Sequence, residues 1–146
     1  MTNLETEFRS YLPRVSAEET RSLLETFGSM DVGDLQEPET GLVMLTALDC
    51  YTHPFHLGEL LVTQAEVTVD GVRAHATVMG DQAEKAILAA TLNGALRHTE
   101  AERLTREFVA GWTTLLPGIQ ERRDEEMGVA ATTKVAFENM AEEEEI

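Results

Sequence analysis

The dipeptide Asp70-Gly71 constrains the fold more than any other feature. It sits between Val67-Thr-Val69 and Val72-Arg-Ala74. A type I′ turn needs positive φ at both central positions, and Asp-Gly tolerates that where most pairs do not. Residues 64–79 therefore read as a β-hairpin. Strict alternation then assigns its faces. Val67, Val69, Ala74, Ala76 and Val78 share one side, while Thr68, Arg73, His75 and Thr77 point outward. A lone hairpin is marginal in water, so further strands or helices have to cover its apolar face.

The flanking segments supply them. Gly41-Leu-Val-Met-Leu-Thr-Ala-Leu48 is a short apolar run suited to a buried strand, and 59–69 forms the strand that leads into the hairpin. Residues 28–38 hold Gly28, Gly33 and Pro38 and read as a loop. Before them come two helices, 3–12 and 16–27, separated by Pro13. Ser16-Ala-Glu-Glu19 is a capping box, and Leu23, Leu24 and Phe27 form an apolar face. After Gly80, Asp81 is the expected N-cap of a helix over 82–97. Thr99-Glu-Ala-Glu102 is a second capping box, opening a helix through Leu116 that Pro117-Gly118 should break. Leu104, Phe108 and Trp112 lie four apart on one face of it, as a core or partner-facing stripe. Residues 119–127 are charged and helix-compatible, and 129–137 look extended. The class is α+β: an antiparallel meander packed by N-terminal and C-terminal helices. Residues 1–140 read as one domain and 141–146 as an acidic tail.

Charge narrows the function. The 146 residues carry 11 Lys+Arg against 27 Asp+Glu, a formal net charge of −16. Such a chain repels phosphate backbones and anionic headgroups, so nucleic acid and membrane surfaces are not expected partners. Cys50 stands alone, which suits a reducing compartment. The first ten residues have no basic and apolar signal pattern, and no apolar run is long enough to span a bilayer. A cytoplasmic protein is expected.

Strong catalytic motifs are missing: no Gly-rich phosphate loop, dinucleotide fingerprint, nucleophile elbow or His-Glu-x-x-His. One cluster has ligand chemistry. Cys50, His53 and His56 fall within seven residues, with Asp49 or Glu59 as a fourth donor, and thiolate and imidazole are ligands zinc prefers. The other reading of the same segment is a loop with two surface histidines and a small buried thiol, its backbone restrained by Pro54. His75 faces outward on the hairpin, and His98 suits a helix C-terminus. Gly41 and Gly58 are expected to serve backbone geometry, Gly58 as a bulge within an apolar β run.

Three segments together carry a resemblance. They are Glu39-Thr-Gly-Leu-Val-Met-Leu45, Phe55-His-Leu-Gly-Glu-Leu-Leu-Val-Thr63 with Gln64 to Val67, and the stretch from Gly71 to Leu96. In this order they resemble the PhnG subunit of the bacterial carbon–phosphorus lyase system. Ala130-Ala-Thr-Thr-Lys-Val-Ala-Phe137 resembles that family's terminal segment. The resemblance implies a subunit without catalytic residues or cofactors of its own. It would assemble with PhnI-, PhnH- and PhnJ-like subunits, two copies per assembly. That assembly joins an alkylphosphonate to ATP, giving ribose 1-phosphonate 5-triphosphate and free adenine. Gly41, Leu57, Gly58, Glu59, Thr63 and Gly80 become structural or partner-contact positions. The competing hypothesis is a stand-alone metal-dependent hydrolase using Cys50, His53 and His56.

The last expectation concerns the C-terminus. From Val129 to Met140 the sequence turns apolar again after a charged stretch, at Val129, Ala130, Val135, Phe137 and Met140. An undocked terminus is usually polar, so these residues read as an arm that packs on its own sheet, on a second copy or on a partner subunit, and the resemblance favours the partner.

Overall fold

The computed structural model describes residues 3–134. Helix α1 (Asn3–Tyr11) leads through a 3-10 turn, Leu12–Arg14, into α2 (Ala17–Glu25). Ser16 caps α2 as expected. Its hydroxyl accepts from the Glu19 amide at 3.2 Å, and the Glu19 carboxylate accepts from the Ser16 amide at 2.7 Å. Three antiparallel strands follow: β1 (Val32–Leu48), β2 (Pro54–Val69) and β3 (Val72–Met79), in the order β1-β2-β3. Helices α3 (Ala83–Arg97), α4 (Ala101–Leu104) and α5 (Arg106–Thr132) complete the chain. This is the α+β meander expected.

The β2–β3 turn is where Asp-Gly placed it, with φ of 46° at Asp70 and 83° at Gly71. Asp70 also ties the start of β1: its carboxylate accepts from the Asp31 amide at 2.9 Å. Val67, Val69 and Ala74 are buried, whereas Arg73, His75 and Thr77 are exposed, so the predicted faces hold.

Helix α3 covers the buried face closely because small residues line it. Ala86, Ala90 and Ala95 are fully buried. At Gly94 a Cβ would come within 2.7 Å of Val69 Cγ2, so only glycine allows this approach. The second half of the core is aromatic. Phe8 meets Phe108 edge-on at 5.4 Å and Trp112 at 5.2 Å, and Phe27 stacks on Phe108. Such pairs contribute about 0.5–1.5 kcal/mol beyond their buried area. The Trp112 indole donates to the Glu7 carboxylate at 2.9 Å. Leu104, Phe108 and Trp112 thus form a core stripe.

Several boundaries differ from expectation. Residues 32–38 are strand rather than loop. Register irregularities between Asp34 and Gln36, and between Gln36 and Glu39, absorb Pro38 on an edge strand, where a missing donor is tolerated. Strand β2 starts at Pro54, five residues before its expected start. The residue before α3 is Gln82, not Asp81, and no side chain caps that helix. The capping box at Thr99 does not form: Glu100 precedes α4, and its amide donates to His98 Nδ1 at 3.1 Å.

The largest difference is at Pro117, which lies inside α5. An interior proline costs about 3 kcal/mol. Anchors on both sides offset that cost. Phe108 and Trp112 are buried before it and Ile119 after it. Arg122 then meets Glu19 at 2.8 Å, and Arg14 meets Glu126 at 2.8 Å. Val129 to Thr132, expected extended, form the last turn of α5. The Thr132 and Thr133 hydroxyls donate to the Val129 and Ala130 carbonyls there, satisfying end groups of the helix.

Candidate partner interface

Strand β3 covers only the Val62–Val69 half of β2. Beyond Val62, β1 and β2 continue alone as a two-stranded ribbon to the turn after Leu48. An apolar run that sequence reading buries therefore stands in solvent on an arm. Leu42 pairs with Leu61 and Met44 with Glu59 on the face that continues the core side. Val43 pairs with Leu60 on the opposite face, next to Leu45 opposite Gly58. Leu42 is 62% exposed, Leu48 67% and Leu57 59%; Met44, Phe55 and Leu61 are exposed as well. Both faces of the ribbon are apolar, a pattern native to strands covered on both sides. The arm from Thr40 to Leu61 contains no lysine or arginine.

Gly58 has φ of 147°, a conformation L side chains rarely adopt, and β2 slips register beside it, between the Leu45 and Thr46 pairings. Leu57 is left out of the pairing, as the bulge expectation requires. Gly41 differs: no positive φ arises there, and nothing lies within 4 Å of a Cβ built on it, so it serves no special backbone geometry. Glu59 is exposed on the arm opposite Met44.

Thr63 and Gly80 meet at the arm's root. The buried Thr63 hydroxyl donates to the Gly80 carbonyl at 2.6 Å and accepts from the Gln82 amide at 3.0 Å. Gly80 adopts φ of 83° to turn the chain from β3 toward α3.

The tip holds the Cys-His segment. The Asp49 carboxylate accepts from the Tyr51 and His53 amides, each at 2.8 Å, and Thr52 takes φ of 66° to close the turn. His53 Nδ1 lies 3.6 Å from the same carboxylate, while His56 Nδ1 pairs with the Thr46 hydroxyl at 3.1 Å. The Cys50 thiol is exposed, which corrects its expected burial. Cys50, His53 and His56 are not brought together: among the described residues no group of three or more His, Cys, Asp or Glu could hold a metal ion. Val135, Phe137 and Met140 lie outside the described residues. Among the described residues no helix is long and apolar enough to cross a membrane.

The arm offers apolar surface and open strand edges; its chemistry is that of contact. Sequence reading missed its exposure, and the signal was the near-continuous apolar run from Leu42 to Leu48 with no helix able to reach both faces. No curated protein matches the chain. The family described as phosphonate metabolism protein PhnG matches residues 6–142, nearly the whole chain, and the protein therefore belongs to the PhnG family, which works in phosphonate metabolism.

Proposed function

We propose that the chain is a non-catalytic subunit of a carbon–phosphorus lyase core complex and that the β1–β2 arm is its main docking element. The observation that carries this reading is the arm itself: two strands, apolar on both faces, covered on neither by the described residues. An isolated two-stranded ribbon is marginally stable in water, so a sequence that keeps one has its covering elsewhere. Burying an exposed leucine, methionine or phenylalanine contributes roughly 1.5–3 kcal/mol, less the cost of ordering the arm. Leu42, Met44, Phe55, Leu57 and Leu61 together supply enough for a stable subunit contact.

Membership in the PhnG family supports the choice of partners: PhnI-, PhnH- and PhnJ-like subunits, with two copies of this chain per assembly. The complex would convert ATP and an alkylphosphonate to ribose 1-phosphonate 5-triphosphate, releasing adenine in the cytoplasm. In this reading the present chain shapes and stabilises the partners that hold the chemistry. Val135, Phe137 and Met140 are assigned to a further partner contact. No observation favours a stand-alone hydrolase.

The test is co-expression of the tagged chain with PhnI-, PhnH- and PhnJ-like subunits. Stoichiometric co-elution in size-exclusion chromatography is expected. Elution of the chain alone, with the partners assembled without it, would refute the subunit role.

A further inference from the structure

A second surface stands apart from the arm. A cleft of about 500 Å³ lies between the α1 end, the open edge of β3 and helix α3. Its floor is apolar, formed by Leu12, Val78 and Ala89. Its polar rim carries Arg9, Lys85 and His75, and among the described residues no aspartate or glutamate lines it, in a chain that has 27 of them. Acids stand around it rather than in it: the Glu5 carboxylate meets Arg9 at 2.7 Å on the same helix, Glu66 pairs with His75 across the strands, and Glu19 acts on Lys85 through its charge. The Lys85 ammonium donates to the Pro13 carbonyl at 3.2 Å, and burial pushes its pKa down, so it lacks full solvation.

The strand edge in this cleft is open. The Gly80 amide donates to the Leu61 carbonyl at 2.8 Å, which turns the backbone of Met79, Thr77 and His75 away from β2. Asn93 occupies the first of these outward groups, donating to the His75 carbonyl at 3.0 Å. Among the described residues nothing pairs with the outward backbone groups of Thr77 and Met79. Natural proteins cover or blunt such edges, and an open edge beside a groove is the geometry of strand addition. From His75 to Met79 an extended segment of about five residues fits, at ~3.3 Å per residue.

We infer that this cleft receives an extended acidic segment of a partner subunit, added as a fourth strand on β3 with its carboxylates toward Arg9 and Lys85. The inference rests on the subunit role proposed above. Main-chain hydrogen bonds to Thr77 and Met79 would supply affinity, and the charge pairing would fix register and choice of partner.

Hydrogen exchange tests it, measured over residues 75–80 in three samples: the isolated chain, the isolated chain ending at Lys134, and the co-expressed complex. Exchange in the complex should be slower by about tenfold or more than in either isolated chain. A complex built with Arg9→Glu and Lys85→Glu should still assemble through the arm but lose that protection. Equal exchange at 75–80 in chain and complex, with the arm protected, would overturn the inference and leave the subunit role standing. Protection already present in the isolated chain and abolished by ending it at Lys134 would give the cleft to the protein's own C-terminal segment, overturning it too. If no complex forms, both proposals fall together.

Discussion

The hydroxyl of Thr63 bridges the Gly80 carbonyl at 2.6 Å and the Gln82 amide at 3.0 Å, so one side chain ties β2 to the chain leaving β3 where the arm begins. The bond matters because Thr63 is 1% exposed, and water cannot replace it. Thr63→Val keeps the shape and removes the hydroxyl, leaving the Gly80 carbonyl and the Gln82 amide without their shared partner. It should cost about 1–3 kcal/mol, the price of leaving a buried polar group unsatisfied. Urea unfolding should show a lower midpoint with an unchanged slope, and Thr63→Ser should recover most of the loss.

Gly94 and Val69 give a second check. Gly94→Ala gains up to about 1 kcal/mol in helix propensity. Its methyl would stand 2.7 Å from Val69 Cγ2, and overpacking of that kind costs about 1–3 kcal/mol. The expected net effect is destabilisation. Adding Val69→Ala should partly relieve it, so the double variant should be more stable than the sum of the single losses predicts. Strict additivity in thermal unfolding would show that the close approach carries no strain.

How much of this was legible in sequence depends on whether local chemistry decided the outcome. Asp70-Gly71 fixed its turn through φ alone, and Ser16 to Glu19 formed their box, because each needs only its own few residues. Leu104, Phe108 and Trp112 share a face by spacing alone. Pro117 misled, since buried Ile119 and the ion pairs of Arg122 and Arg14 hold α5 together from distant parts of the chain. The Thr99 box failed because Glu100 and His98 took its place. The arm was half legible: Leu42 to Leu48 read as a strand, but an apolar run has no feature saying whether its covering comes from its own chain. The cleft combines Arg9 and Lys85 with the strand edge at His75, from three elements, and no spacing in the sequence joins them.

Acid should weaken the α2–α5 contact. Burial pushes the Glu19 carboxyl up, but the Ser16 amide and the Arg122 guanidinium outweigh it and hold its pKa below the ordinary carboxylate value. A depressed folded-state pKa means that its stabilisation is fully present above the unfolded-state value. It is lost as the pH falls through the folded-state one. Glu19→Gln should cost about 1 kcal/mol at pH 7, comparable to loss of a helix cap. The gap between variant and parent in urea midpoint should shrink as the pH falls below the ordinary carboxylate range. A gap independent of pH would contradict the assignment.

Gly58 and Gly41 should separate arm geometry from body stability. At φ of 147° a side chain on residue 58 is strained, and strain of this kind costs about 1–3 kcal/mol. Gly58→Ala should therefore disturb the arm and weaken co-purification with partner subunits, leaving the melting temperature of the isolated chain close to the parent's. Gly41→Ala should change neither.

The central claim is that the arm, and not the helical body, holds this chain in its assembly. The most direct measurement replaces Leu42, Met44, Leu57 and Leu61 with serine together and co-expresses the tagged chain with PhnI-, PhnH- and PhnJ-like subunits. Unfolding of the isolated variant should match the parent, because these side chains are exposed in the folded chain. Co-elution with the partners should fall by at least about tenfold, for the lost burial amounts to several kcal/mol. A folded variant that still co-elutes stoichiometrically would contradict the claim.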